Sequence, residues 1–166
     1  MEQYQNTASR VKEAPPVCPA EVLREGDIID LGDRKIEVIE FAGHTPGALC
    51  LLDRKDRVLY TGDSILGRTV YLFMGNSVPV SRMKASLLHI NTFRDAFDHL
   101  ATGHGCELDP PCYIDALIEA CDGILAGAPK DRFGTMEVHG ISRPCYYYEG
   151  EHGMRAPLIY REDLVC

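Results

Sequence analysis

Three short runs constrain this chain more than anything else in it: Gly43-His44-Thr45-Pro46-Gly47, Thr61-Gly62-Asp63 and Gly103-His104-Gly105. Each sets an imidazole or a carboxylate directly after a glycine, at the end of an apolar segment. The first follows Lys35–Phe41, where Ile36, Val38 and Ile39 stand against Glu37 and Glu40 in the pattern of a half-buried strand. Pro46-Gly47 then forces a turn. The second run follows the strand-like Arg57–Tyr60, and the third follows Phe97–Ala101. Loops mounted on rigid strands are where reactive side chains are usually carried. Imidazole and carboxylate together form a ligand set for zinc or iron.

The intervening sequence reads as alternating strands and helices. Glu21–Leu31 predicts a short strand, and Gly32-Asp33 turns it into the next. Ala48–Leu52 and Arg57–Tyr60 flank a charged four-residue loop, Asp53–Asp56, as a hairpin. Ser64–Pro79 reads as irregular, with its apolar run Val70–Met74 near the loops. Ser81 is positioned to cap a helix to about Phe93, with Met83, Leu87, Ile90 and Phe93 on its buried face. Asp109-Pro110 is positioned to open a second helix, whose stripe is Ile114, Leu117, Ile118, Cys121, Ile124 and Leu125. Near the end, Cys145–Tyr148 and Leu158–Tyr160 suggest a hairpin around Gly150–Gly153.

Composition narrows the function classes. The chain has 166 residues and a formal charge of −8, which argues against nucleic acid or an acidic membrane surface as partner. No run is long and apolar enough for a transmembrane helix, and Met1–Ala14 lacks an apolar signal core. The seven cysteines are odd in number, irregularly spaced and without a Cys-x-x-Cys, so reduced thiols in a cytoplasmic protein are expected. Cys50 and Cys121 fall on apolar faces and read as core. Cys106, two residues after His104, reads as a bystander, and His89 and His99 read as non-ligands. No Gly-x-Ser-x-Gly elbow, dinucleotide fingerprint or Walker loop is present.

The ordered set Gly43–Gly47, Thr61–Asp63 and Gly103–Gly105 resembles the second half of the metallo-β-lactamase-fold hydrolases, over about Ala20–Gly127. The resemblance implies an α+β fold, a partial αββα sandwich with one mainly antiparallel sheet and covering helices. It implies that His44 binds one metal, His104 a second, and that Asp63 bridges them. Zinc is the implied ion, with iron or manganese as alternatives. The family's His-x-His-x-Asp-His motif, which precedes the position of His44, has no counterpart here, because no histidine precedes His44. Three of seven ligand residues are therefore present. Residues 1–19 are expected to be a linker or the remnant of a missing N-terminal half. Residues 20–127 are expected to be the C-terminal half of the domain, and 128–166 an extension carrying the hairpin.

Two functions follow. One is a metal-dependent hydrolase of an ester, thioester or lactone, similar to hydroxyacylglutathione hydrolases, in which a metal-bound hydroxide attacks a small-molecule substrate. Thr45, Thr61 or Ser64 would steady the ligands, and another polypeptide would supply the remaining donors. The other is a non-catalytic half-domain that acts through self-association or a partner chain. Both predict a homo-oligomer or a chain carrying the missing half.

Overall fold

The alternating segments of the first third of the chain pair up as an antiparallel meander. The computed structural model describes residues 20–127, 133–149 and 155–165. Within it β1 (Ile28–Asp30), β2 (Lys35–Glu40), β3 (Leu49–Asp53) and β4 (Val58–Gly62) lie side by side. The turn between β3 and β4 is fixed by Asp53, whose carboxylate accepts the N–H groups of Lys55 and Asp56 at 2.9 and 3.2 Å. Its other oxygen accepts from Arg34 at 2.7 Å. Across the sheet Ile39 faces Cys50 and Leu52 faces Leu59, all fully buried.

After Asp63 the chain leaves this sheet and returns as β6 (His99–Thr102), which runs parallel to β4 with Leu100 beside Leu59. A parallel neighbour requires a crossover. Here the crossover contains β5 (Val70–Leu72) and helix α1 (Val80–Asn91). Helix α1 buries Val80 and the expected Met83, Leu87 and Ile90, but it ends at Asn91, so the expected Phe93 lies beyond it and is only half-buried. Helix α2 (Cys112–Leu125) buries Ile114, Leu117, Cys121 and Ile124, while Leu125 at its end is exposed.

Both expected helix starts are corrected. Ser81 does not cap α1: the helix begins one residue before it, and the Pro79 carbonyl takes the Arg82 and Met83 N–H groups. Asp109 does not cap α2. Its backbone forms a two-bond bridge with Leu100, its carboxylate accepts from Thr102 Oγ1 at 3.1 Å, and the helix starts three residues later. In both cases a tertiary or backbone partner took the groups that a local cap would have used.

A second sheet has the order β5, β9, β8, β7, with β7 (Phe133–Val138), β8 (Ile141–Glu149) and β9 (Arg155–Tyr160). Val70–Leu72, expected to be irregular, is drawn into it by parallel pairing with Leu158–Tyr160. Strands β7 and β8 are joined by the two-residue turn His139-Gly140, both with positive φ (51° and 75°), as the tight hairpin turns require. Strands β8 and β9 are antiparallel, with Tyr146 opposite Leu158. One core joins the layers: Leu52, Leu59 and Leu100 of the first sheet, Leu87 and Leu117 of the helices, and Leu72, Tyr146 and Leu158 of the second sheet.

Candidate metal centre

Strand direction explains why the three marked loops meet. β2 is antiparallel to β3 and β3 to β4, so β2 and β4 run the same way, and β6 is parallel to β4. The C-terminal ends of β2, β4 and β6 therefore lie on one edge of the sheet, and these are the ends that carry His44, Asp63 and His104. Asp63 and His104 follow adjacent strands, and His104 Nε2 is 3.3 Å from Asp63 Oδ1. Their loops are tied by the Gly103 N–H, which donates to the Gly62 carbonyl at 2.9 Å. A Cβ at position 103 would lie 2.2 Å from Asp63 Oδ1, so any other residue there displaces the carboxylate. Strand β3 separates β2 from β4, so the base of the His44 loop stands two strand spacings, ~10 Å, from that of Asp63. His44 nevertheless lines the same cavity of about 310 Å³ as Asp63 and His104, together with Leu66, Arg68, Thr69 and Tyr71.

His44 is the more enclosed of the two imidazoles. It is half-buried, whereas the His104 and Asp63 side chains are 60% and 46% exposed. Its Nδ1 lies 2.7 Å from the Tyr71 carbonyl oxygen. A carbonyl only accepts, so Nδ1 carries a proton, and in the neutral ring Nε2 then keeps its lone pair. This is the tautomer suited to ligating a metal through Nε2. Ser77 Oγ holds the loop by donating to the His44 carbonyl at 3.0 Å, and the Val78 N–H donates to the Gly43 carbonyl.

The expected supports are not the ones found. Thr61 Oγ1 donates to the Ile65 carbonyl at 2.8 Å within its own turn, and the Thr45 carbonyl closes the loop around Gly43 and Ala48. Neither Thr side chain, nor that of Ser64, has a hydrogen bond to the imidazoles or to Asp63 among the described residues. Tyr71 and Ser77 take that part. The sequence placed the run containing Tyr71 near the site, but a backbone carbonyl has no residue-type signature.

The remaining candidates stand apart. His89 pairs with Glu25 at 2.8 Å on the surface, and His99 is exposed at the start of β6. Cys106 is exposed and lines a neighbouring cavity of about 360 Å³. Burial pushes the Cys50 and Cys121 thiols up to about 12, consistent with inert core side chains.

Two imidazoles and a carboxylate suit zinc, iron or manganese in kind. The free Nε2 of His44 suits them in direction. In number they fall short: among the described residues no three His, Cys, Asp or Glu side chains cluster closely enough to enclose one ion. Zinc sites normally take three or four protein ligands.

Comparison with known proteins agrees with this fold. The family model described as the metallo-beta-lactamase superfamily matches residues 3–130. The acyl-coenzyme A thioesterase MBLAC2 of Gallus gallus is 47% identical over 51 residues, which is 31% of this chain and 18% of that protein. The hydroxyacylglutathione hydrolase GloC of Haemophilus influenzae is 29% identical over 72 residues, 41% of this chain and 34% of that protein. A crystal structure of a metallo-beta-lactamase family protein from Thermus thermophilus superposes with a TM-score of 0.54 at 19% identity, covering 81% of this chain and 45% of that one. The chain thus spans less than half the length of each of these three proteins. With the family model matched over most of its residues and its strands and helices superposing on a solved member, the chain belongs to the metallo-beta-lactamase superfamily.

Proposed function

We propose that this chain contributes one half of a binuclear metallo-hydrolase centre, with His44 on one ion, His104 on the other and Asp63 between them. The observation that carries this reading is the convergence of the loops after β2, β4 and β6 on one cavity, with His44 Nε2 left free by the Tyr71 carbonyl. Zinc is the proposed ion, and iron or manganese would suit the same nitrogen and oxygen donors. A bound ion of this kind supplies Lewis acidity and lowers the pKa of a bound water towards about 7. Asp63, with two oxygens and an open side, is suited to span two ions. Leu66, Thr69 and Tyr71 shape the wall against which a small substrate would lie. The activities in the names of two relatives, acyl-coenzyme A thioesterase and hydroxyacylglutathione hydrolase, make a thioester the favoured substrate among ester, thioester and lactone.

Three donors do not fill two shells, so the reading requires further ligands from polypeptide beyond these residues or from a second chain. It is tested by joining the first half of the chicken thioesterase to Ala20 of this chain and assaying thioester hydrolysis. The proposal expects turnover that Asp63→Ala abolishes. A folded, zinc-loaded chimera no faster than its Asp63→Ala variant would contradict it.

A second reading, a half-domain that works by association, is favoured by one observation. Val38, Leu51, Tyr60 and Ala101 align across four strands on the face of the first sheet away from Leu52, Leu59 and Leu100. In this apolar row Val38 is fully buried, but Tyr60 is 42% exposed, and Leu51 and Ala101 are only half-buried. A partner chain or a second copy would cover it. Residence in the cytoplasm, where the thiols stay reduced, fits both readings.

A further inference from the structure

The turn His139-Gly140 decides which backbone groups of β7 face outward. Both turn residues have positive φ, so Val138 and Ile141 flank a two-residue loop as the first hydrogen-bonded pair of the hairpin. Antiparallel partners alternate between bonded and non-bonded pairs, and the register of β7 with β8 runs from there to Phe133 without a shift. Val138, Met136 and Gly134 therefore bond to β8. Phe133, Thr135 and Glu137 turn their N–H and C=O groups to the other side of β7, where the second sheet ends.

The other sheet edges are short or occupied. Strands β1 and β5 have three residues each, and the Tyr71 carbonyl of β5 accepts from His44. On β6, Leu100 exchanges two backbone hydrogen bonds with Asp109. Strand β7 has six residues, and among the described residues the outward groups of Phe133, Thr135 and Glu137 have no backbone partner. It holds no proline, no lysine and no bulge, the devices that keep an edge from pairing, and its one charge is Glu137. A free edge of this kind can take up another strand through its main chain.

Run antiparallel to itself, β7 is its own complement. The register that uses all three outward residues sets Thr135 opposite Thr135 of a second copy and Phe133 opposite Glu137, which forms about six main-chain hydrogen bonds. The central threonines make a favourable cross-strand pair, and the two Glu137 carboxylates fall at opposite ends, so like charges do not meet. On the other face of the sheet, Met136 of one copy falls opposite Gly134 of the other. The Tyr147 ring lies over that glycine, where a Cβ would be 2.6 Å from it, and gives the thioether an aromatic surface to pack on.

We propose that the outer edge of β7 is an interaction surface for a second copy of this chain, the two β7 strands pairing antiparallel about Thr135 to join two four-stranded sheets into one. This edge belongs to the second sheet, so the proposal rests neither on the metal-binding reading nor on the apolar row of the first sheet.

The test is sedimentation equilibrium of the tag-free chain over a range of concentrations, with amide hydrogen exchange read by nuclear magnetic resonance. A monomer–dimer equilibrium is expected. The Phe133, Thr135 and Glu137 amides should gain protection as dimer forms, whereas those of Gly134, Met136 and Val138 are protected at every concentration. Thr135→Pro removes only an outward N–H, which an edge strand tolerates. Thr135→Lys brings two ammonium groups together at the two-fold axis. Each is expected to weaken self-association at least tenfold while the circular dichroism stays that of the wild type. A chain that is monomeric at every concentration would overturn the proposal and leave the edge to a strand of another polypeptide. A dimer that both variants leave unchanged would overturn it too, and if Tyr60→Ser then weakens that dimer, the contact lies on the first sheet.

Discussion

A methyl group on Gly103 would lie 2.2 Å from Asp63 Oδ1 and 3.1 Å from the Gly62 carbonyl carbon, so this glycine sets where the carboxylate can sit. Gly103→Ala is expected to weaken zinc binding at least tenfold, while Gly75→Ala, whose Cβ meets nothing within 4 Å, leaves it unchanged. Competition with a coloured chelator reads both. Thiol chemistry separates the cysteines in the same residue-by-residue way. At about pH 8 an alkylating reagent should modify the exposed Cys106 in the native protein and leave Cys50 and Cys121 until unfolding, since burial holds those two up to about 12. Peptide mass mapping checks the order. Asp53 gives the pH dependence. Burial pushes its carboxyl up, but the Asp56 and Lys55 N–H groups and Arg34 outweigh this and hold it below the usual aspartate range. A depressed native value means stability that is full above the unfolded pKa, ~3.9, and is lost as pH falls through the native one. Asp53→Asn should therefore lower Tm near neutral pH and flatten the acid-side loss seen in thermal melts. His44, Asp63 and His104 could be proposed from the sequence because glycine, imidazole and carboxylate each carry a distinct letter. The acceptor that fixes His44 could not, because the Tyr71 carbonyl belongs to any residue.

Elements were legible where one periodic face met the core and less so where they began or where a distant strand decided them. The buried face of α1 matched its spacing as far as Ile90, but neither helix is capped by the residue expected, because Asp109 is claimed by β6 and Pro79 precedes α1 directly. Strand β5 is only three residues long, and its partner β9 lies near the other end of the chain, so no local pattern announces it. Its placement still matters to the site, since pairing with β9 holds the Tyr71 carbonyl in place for His44. Helix α2 packs closely on β8: a Cβ at Gly123 would lie 2.2 Å from the hydroxyl of the buried Tyr146. Alanine at a helix interior normally gains about 1 kcal/mol over glycine, whereas overpacking a fixed core costs ~1–3 kcal/mol. Gly123→Ala is expected to destabilise the protein despite its better helix propensity, as read by chemical denaturation. A gain in stability would mean that α2 is free to move off the second sheet.

At the scale of the whole molecule, the two sheets and two α-helices of the described residues share one core, and an apolar row, Leu51, Tyr60 and Ala101, stays partly open beside the buried Val38 on the outer face of the first sheet. Among the described residues no helix is long and apolar enough to cross a membrane. The sequence anticipated the first sheet and the edge on which its loops meet. It also anticipated the β8–β9 hairpin, but not that β7 and the distant β5 join it in a second sheet. The central claim is that the edge at the C-terminal ends of β2, β4 and β6 is a metal-binding edge. The measurement that tests it most directly is the zinc affinity of the tag-free chain, by chelator competition, for wild type, Asp63→Ala and His89→Ala. The account predicts that Asp63→Ala weakens binding at least tenfold and that His89→Ala leaves it as it was. Equal zinc affinity in Asp63→Ala and wild type would contradict it.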